Sequence, residues 1–83
     1  MSRMNKLIAS LPDEDLRKVK KWINDHPDEV PKDADDAVEM IIHNVSWDYK
    51  SRAERAENDQ EEAEINRQKK ELYAKWKKLG LIE

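Results

Sequence analysis

The chain has no cysteine, no phenylalanine and no threonine, and only one glycine among its 83 residues. Without cysteine there is neither a disulfide framework nor a thiolate metal site, so packing alone must hold the fold, and the composition suits a reducing compartment. The lack of threonine and phenylalanine, together with one glycine and three prolines, argues against strands, which favour β-branched and aromatic residues separated by glycine-rich turns. The single glycine, Gly80, lies near the C-terminus. That excludes the glycine-rich turns that let backbone amides approach a phosphate or a dinucleotide, so no cofactor of those kinds is expected.

Long apolar runs are missing too. No stretch approaches the roughly 20 residues that cross a bilayer. The opening MSRMNKLIAS has no apolar core of the kind a secretion signal carries. The expectation is a cytoplasmic protein with no membrane span. Nucleophilic chemistry has little to work with, because the four serines lie in no elbow-like context and only two histidines are present. Neither an enzyme nor a small-molecule substrate is expected. Glu39 and His43 stand four apart, and Asp25, His26 and Asp28 form a second cluster. Neither set reaches a third metal ligand at a suitable spacing, and both read as surface polar residues.

What the chain does have is charge, at 42% of residues against 37% apolar. One or two amphipathic faces can be buried on that composition, but not a thick core. A single domain over 1–83 is expected, and chains of this size often gain stability by associating. The fold class is all-α, a small helical bundle or helical hairpin of about three helices that is expected to be oligomeric.

The helix signals run in order. Residues 3–9 form a short helix or an apolar arm supplying Met4, Leu7 and Ile8. Ser10 with Asp13 reads as a helix start, with Pro12 in the first turn and three acids complementing the positive end of the dipole. Leu16, Val19 and Ile23 make its stripe, with Trp22 on the shoulder, until His26-Pro27 ends the helix. A helix over about 12–26 and a following loop to residue 32 complete this N-terminal part.

Asp33 with Asp36 marks the next start, near Ala34. No Gly or Pro then interrupts the chain until Gly80, which together with Leu81 fits a helix cap over residues 80–83. An unbroken helix over 34–79 would be about 70 Å long, against a radius of gyration of about 12 Å for a compact domain of this size. Residues 33–79 are therefore either one long helix paired with another chain or a helical hairpin. A hairpin would break near Asn44-Val45-Ser46 or near Asn58-Asp59, giving helices of about 34–57 and 60–79. Ala34, Val38, Ile41, Ile42, Val45 and Tyr49 share one face. Met40 and Trp47 project the opposite way, and on a continuous helix they align with Ile65, Leu72, Trp76 and Leu79.

Three surfaces follow. Trp22 and Trp76 sit on or beside apolar stripes, as core residues do, whereas Trp47 lies off its stripe, as an interface residue does. Met40, Trp47, Leu72 and Trp76 are the expected contacts with a protein partner or a second copy. The segment 67–78 carries six bases against one Glu, and Arg67, Lys70, Lys77 and Lys78 form a ridge able to meet a polyanion. Lysines near a helix C-terminus also complement the dipole without any ligand. The segment 25–39 carries seven acids against one Lys. Asp28, Glu29, Asp35 and Asp36 fit a basic partner, and equally fit a solvated loop. The leading functional reading is a non-catalytic interaction or accessory protein, an adaptor, regulator or inhibitor subunit, that self-associates. The alternatives are a nucleic-acid-binding regulator using 67–78 and an acidic nucleic-acid mimic that inhibits a DNA- or RNA-binding protein. Nucleic acid is the less favoured partner because the net charge is −3.

Overall fold

A computed structural model describes residues 2–83, and among them every regular element is helical. Four α-helices occur: α1 (Arg3–Ser10), α2 (Asp13–Asp25), α3 (Ala34–Glu54) and α4 (Asp59–Lys78). The count exceeds the three expected because residues 3–10 form a helix rather than an arm. The chain divides into two compact units, one ending at Val45 and the other beginning at Ser46.

In the first unit, α1 starts where the Ser2 hydroxyl accepts a hydrogen bond from the Asn5 amide at 3.1 Å, satisfying one of the amides that lack a partner within the helix. Leu7 is fully buried, Met4 is half-buried and Ile8 faces outward. The Ser10 hydroxyl donates back to the Leu7 carbonyl at 2.6 Å at the end of α1, and Pro12 occupies the cap position of α2 with no side-chain hydrogen bond of its own. The start of α2 rests instead on the fixed backbone of Pro12 and on Asp13, Glu14 and Asp15 in the first turn.

Leu16, Val19, Trp22 and Ile23 of α2 are half-buried. The helix stops at Asp25, and His26 adopts φ −133° and ψ 54° ahead of Pro27, whose ring disfavours a helical neighbour. The His26 ring stacks on Trp22 with centroids 4.9 Å apart. A short 3-10 turn, Pro27–Glu29, follows.

Asp33 then does what its position predicts: one carboxylate oxygen accepts from the amides of Asp35 and Asp36, at 2.9 and 3.1 Å. From there α3 buries Ala37, Val38, Ile41, Ile42 and Val45 within the first unit. Arg3 reaches Asp35 and Glu39, each at 3.1 Å, tying α1 to the first turns of α3.

The second unit opens with the last turns of α3, where Tyr49 is buried. The helix loses its regular ladder at Arg55, whose amide is shared between the Ser51 and Arg52 carbonyls at 3.1 and 3.2 Å. Asn58 restarts the chain as α4 by accepting from the Glu61 amide at 2.8 Å, while the Glu61 carboxylate accepts from the Glu57 amide at 3.3 Å. Side-chain bonds from Asn58 and Glu61 thus make the joint without glycine or proline, although the Glu61 carboxylate takes the amide of Glu57 and not that of the cap residue itself.

Leu72 and Trp76 are the buried residues of α4. Its C-terminus is closed by two bonds, Leu81 N–H to the Trp76 carbonyl at 2.9 Å and Gly80 N–H to the Lys77 carbonyl at 3.1 Å. Gly80 sits at φ 75°, where a side chain would be strained, and Leu81 is buried beyond it, the pattern of a Schellman cap.

Candidate interaction surface

The three tryptophans have three different environments. Trp76 is fully buried, Trp22 is half-buried against His26, and Trp47 is 60% exposed. Trp47 stands on the part of α3 that belongs to the second unit, held on a helix rather than a loop. Lys50, one turn further on, places its ammonium 5.3 Å from the indole centroid, a cation–π contact on the exposed ring. An aromatic side chain of this size left open to water on a rigid element is what an interface anchor requires.

The other expected contact residues do not share that exposure. Met40 is half-buried. Leu72 is 4% exposed and Trp76 0% exposed, so both serve the interior and are not open to a partner.

The basic segment is less free than its composition suggests. Arg67 lies between Glu64 and Glu71, bonded to both carboxylates, and these partners hold its guanidinium still further above its ordinary value. Lys69 lies over the Tyr73 ring at 5.5 Å. Lys70, Lys75, Lys77 and Lys78 are exposed, and none of them forms an ion pair with any described residue. Lys75 belongs with this group, beside the basic residues that the helical pattern of 67–78 points to.

The acidic segment divides in the same way. Asp25 is bonded to Lys21 at 2.8 Å, Asp35 and Glu39 to Arg3, and Asp33 caps α3. Asp28, Glu29 and Asp36 remain exposed, again with no ion-pair partner among the described residues.

The chain matches no family model, no curated protein and no solved structure.

One concavity lies within the second unit, an open hollow of about 740 Å³ lined by Arg52, Arg55, Asn58, Gln60, Glu61, Glu64 and Ile65. Residues from both sides of the joint line it. Several of its polar side chains already hold the local structure together. Asn58 and Glu61 make the cap of α4, Glu64 holds Arg67, and Arg52 pairs with Asp48 at 3.2 Å while stacking on the Tyr49 ring at 4.3 Å. No group of three or more ligating side chains able to hold a metal occurs among the described residues, and none of their helices is long and apolar enough to cross a membrane.

Proposed function

We propose that this protein is a small, non-catalytic helical interaction protein that works by associating with another protein, a second copy of itself in the first instance, with Trp47 at the centre of the contact. The carrying observation is the 60% exposure of Trp47 in a chain that buries Trp76 completely. With so little apolar surface available, leaving its most valuable side chain in water gives up stability that an interface would recover. Tryptophan presents roughly 200 Å² for burial. Covering the exposed part at about 25 cal/mol per Å² gives about 3 kcal/mol, or roughly two decades of affinity before the entropic cost of association.

The experiment is sedimentation velocity on the full chain from low to high micromolar concentration, for the wild type and for Trp47→Ala. The expected outcome is a concentration-dependent rise in sedimentation coefficient for the wild type. Trp47→Ala abolishes that rise while far-UV circular dichroism stays unchanged. A wild-type chain that remains monomeric at high micromolar concentration overturns self-association. Lost helicity in Trp47→Ala would make Trp47 a structural residue.

A further inference from the structure

The exposed face of α3 is complementary to itself when the helix is turned end for end. His43, Trp47, Lys50 and Glu54 are all exposed and stand four, three and four residues apart, so they form one stripe about 17 Å long. That alternation is the spacing by which two helices interlock along a shared seam. Asn44 and Ser51 edge the stripe on one side, Ser46 and Ala53 on the other. All four are short and uncharged, so neither bulk nor charge at the edges holds a second helix away.

We propose that α3 packs against α3 of a second copy in antiparallel register, across a two-fold axis passing midway between Trp47 and Lys50. The inference rests on the self-association proposed above and specifies its geometry. In this register Trp47 of each copy meets Lys50 of the other, and His43 of each meets Glu54 of the other, because the members of each pair lie equally far on either side of the axis. One isologous contact therefore makes each pair twice. Each pair is chemically matched. The Lys50 ammonium already lies 5.3 Å from the centroid of its own Trp47, and the same attraction across a seam strengthens as water is excluded. An imidazole N–H donates to a carboxylate, and Glu54 has no ion-pair partner among the described residues. A parallel pairing would instead set Lys50 against Lys50 and Glu54 against Glu54, which like-charge repulsion opposes. Four contact residues per copy cover well below the roughly 800 Å² per partner of a standard interface, so the dimer is weak and depends on concentration.

The test is sedimentation equilibrium on the full chain up to high micromolar concentration, with circular dichroism on every variant. Trp47→Lys/Lys50→Trp exchanges the two side chains within one chain, and a register that sets positions 47 and 50 opposite each other keeps every indole facing an ammonium. That variant should associate within about threefold of wild type, whereas Trp47→Ala and Lys50→Glu should each weaken association roughly tenfold or more. His43→Glu sets two carboxylates against each other and should weaken association about threefold to tenfold at low salt, and adding Glu54→Lys to the same chain should restore it. Should the exchange variant lose helicity, the His43 and Glu54 variants carry the same test, since both positions are exposed. Three outcomes overturn the register: a folded exchange variant that stays monomeric, a His43→Glu chain that associates like wild type, or a loss that Glu54→Lys does not repair. If association is nonetheless lost in Trp47→Ala, this inference fails and the Trp47 reading stands. A wild-type chain monomeric at high micromolar concentration, or a Trp47→Ala chain that associates unchanged, removes both.

Discussion

Replacing Asn58 with alanine tests the joint on which the two-helix arrangement of residues 34–78 depends. Asn58 accepts from the Glu61 amide at 2.8 Å, so the alanine variant leaves one first-turn amide of α4 without its acceptor. Loss of such a cap costs about 1 kcal/mol. A chain of this length unfolds with an entropy near 2.1 cal/mol/K per residue, so the melting temperature should fall by about 6 °C. Asn58→Asp, which keeps the acceptor and places negative charge at the positive end of the helix dipole, should recover most of that loss.

Asn44 provides the control, because the sequence offers Asn44-Val45-Ser46 as a second place for the helix to break, whereas in the structure Asn44 lies inside α3. There alanine removes only an inferior helix former, so Asn44→Ala should be neutral or stabilising by a few tenths of a kcal/mol. Of the two variants, only Asn58→Ala is therefore expected to lose stability. Thermal denaturation followed at 222 nm on equal concentrations of each chain measures both. A rise in melting temperature for Asn58→Ala would mean that the helix runs through residues 55–58, and would refute the joint.

Two further expectations follow from burial and from charge. Trp76→Ala removes a fully buried indole and should cost about 3 to 5 kcal/mol, a large part of the roughly 4 to 12 kcal/mol that holds a domain of this size. Urea denaturation followed by circular dichroism should show the variant unfolding far earlier than wild type, and a small effect there would deny that Trp76 lies in the interior. The Asp25 carboxylate is held below its ordinary value of 3.8 by its hydrogen bond from Lys21, and Glu64 below 4.5 by its bond from Arg67. The folded chain thus binds protons less readily than the unfolded chain. The contribution is fully present above those ordinary values and is lost as the pH falls through the lower folded ones, so melting temperature should decline below about pH 4.5. Both groups are exposed, and the decline should be shallow and weaker in high salt. Asp25→Asn/Glu64→Gln should flatten it, and an unaltered acid profile in that variant would place the effect elsewhere.

Much of the helix map was legible because it depends on local chemistry. Asp33 ahead of an apolar periodic run reads as a cap, and so does Gly80 followed by Leu81, since an L side chain is strained at the positive φ that closes the helix. Ser10 lies between two short helices, where a serine can serve the one it ends as well as the one it precedes; its hydroxyl donates to the Leu7 carbonyl, and α2 begins at Asp13, close to the start expected near Pro12. The end of α3 at Glu54 was harder to read, since Ala53, Arg55 and Ala56 are compatible with continued helix. What decides it is burial: residues 57–64 are all exposed, so nothing in the interior rewards another turn, and the Asn58–Glu61 cap offers a better state.

That same break explains why the contact residues separated. Aligning Met40 and Trp47 with Leu72 and Trp76 on one face assumes a fixed rotation of about 100° per residue through the whole of 34–79. Four residues of non-helical chain at 55–58 cancel that phase relation, so the rotation of α4 about its own axis is set by which of its side chains are buried and not by the register of α3. Leu72 and Trp76, four apart and bulky, turn inward on α4. Trp47, whose neighbours at one helical turn are His43, Asn44, Lys50 and Ser51, has no apolar stripe of its own to carry it inward. Its exposure is thus a consequence of the polar residues around it on α3, a property the sequence contains once the helix is allowed to end. By the same reasoning, exchanging Asn44 and Ser51 for leucine would extend an apolar stripe through Trp47 and should drive stronger, less salt-sensitive association if the indole is a contact residue. A chain that instead stayed monomeric with unchanged helicity would show that exposed apolar area on this face does not by itself bring copies together.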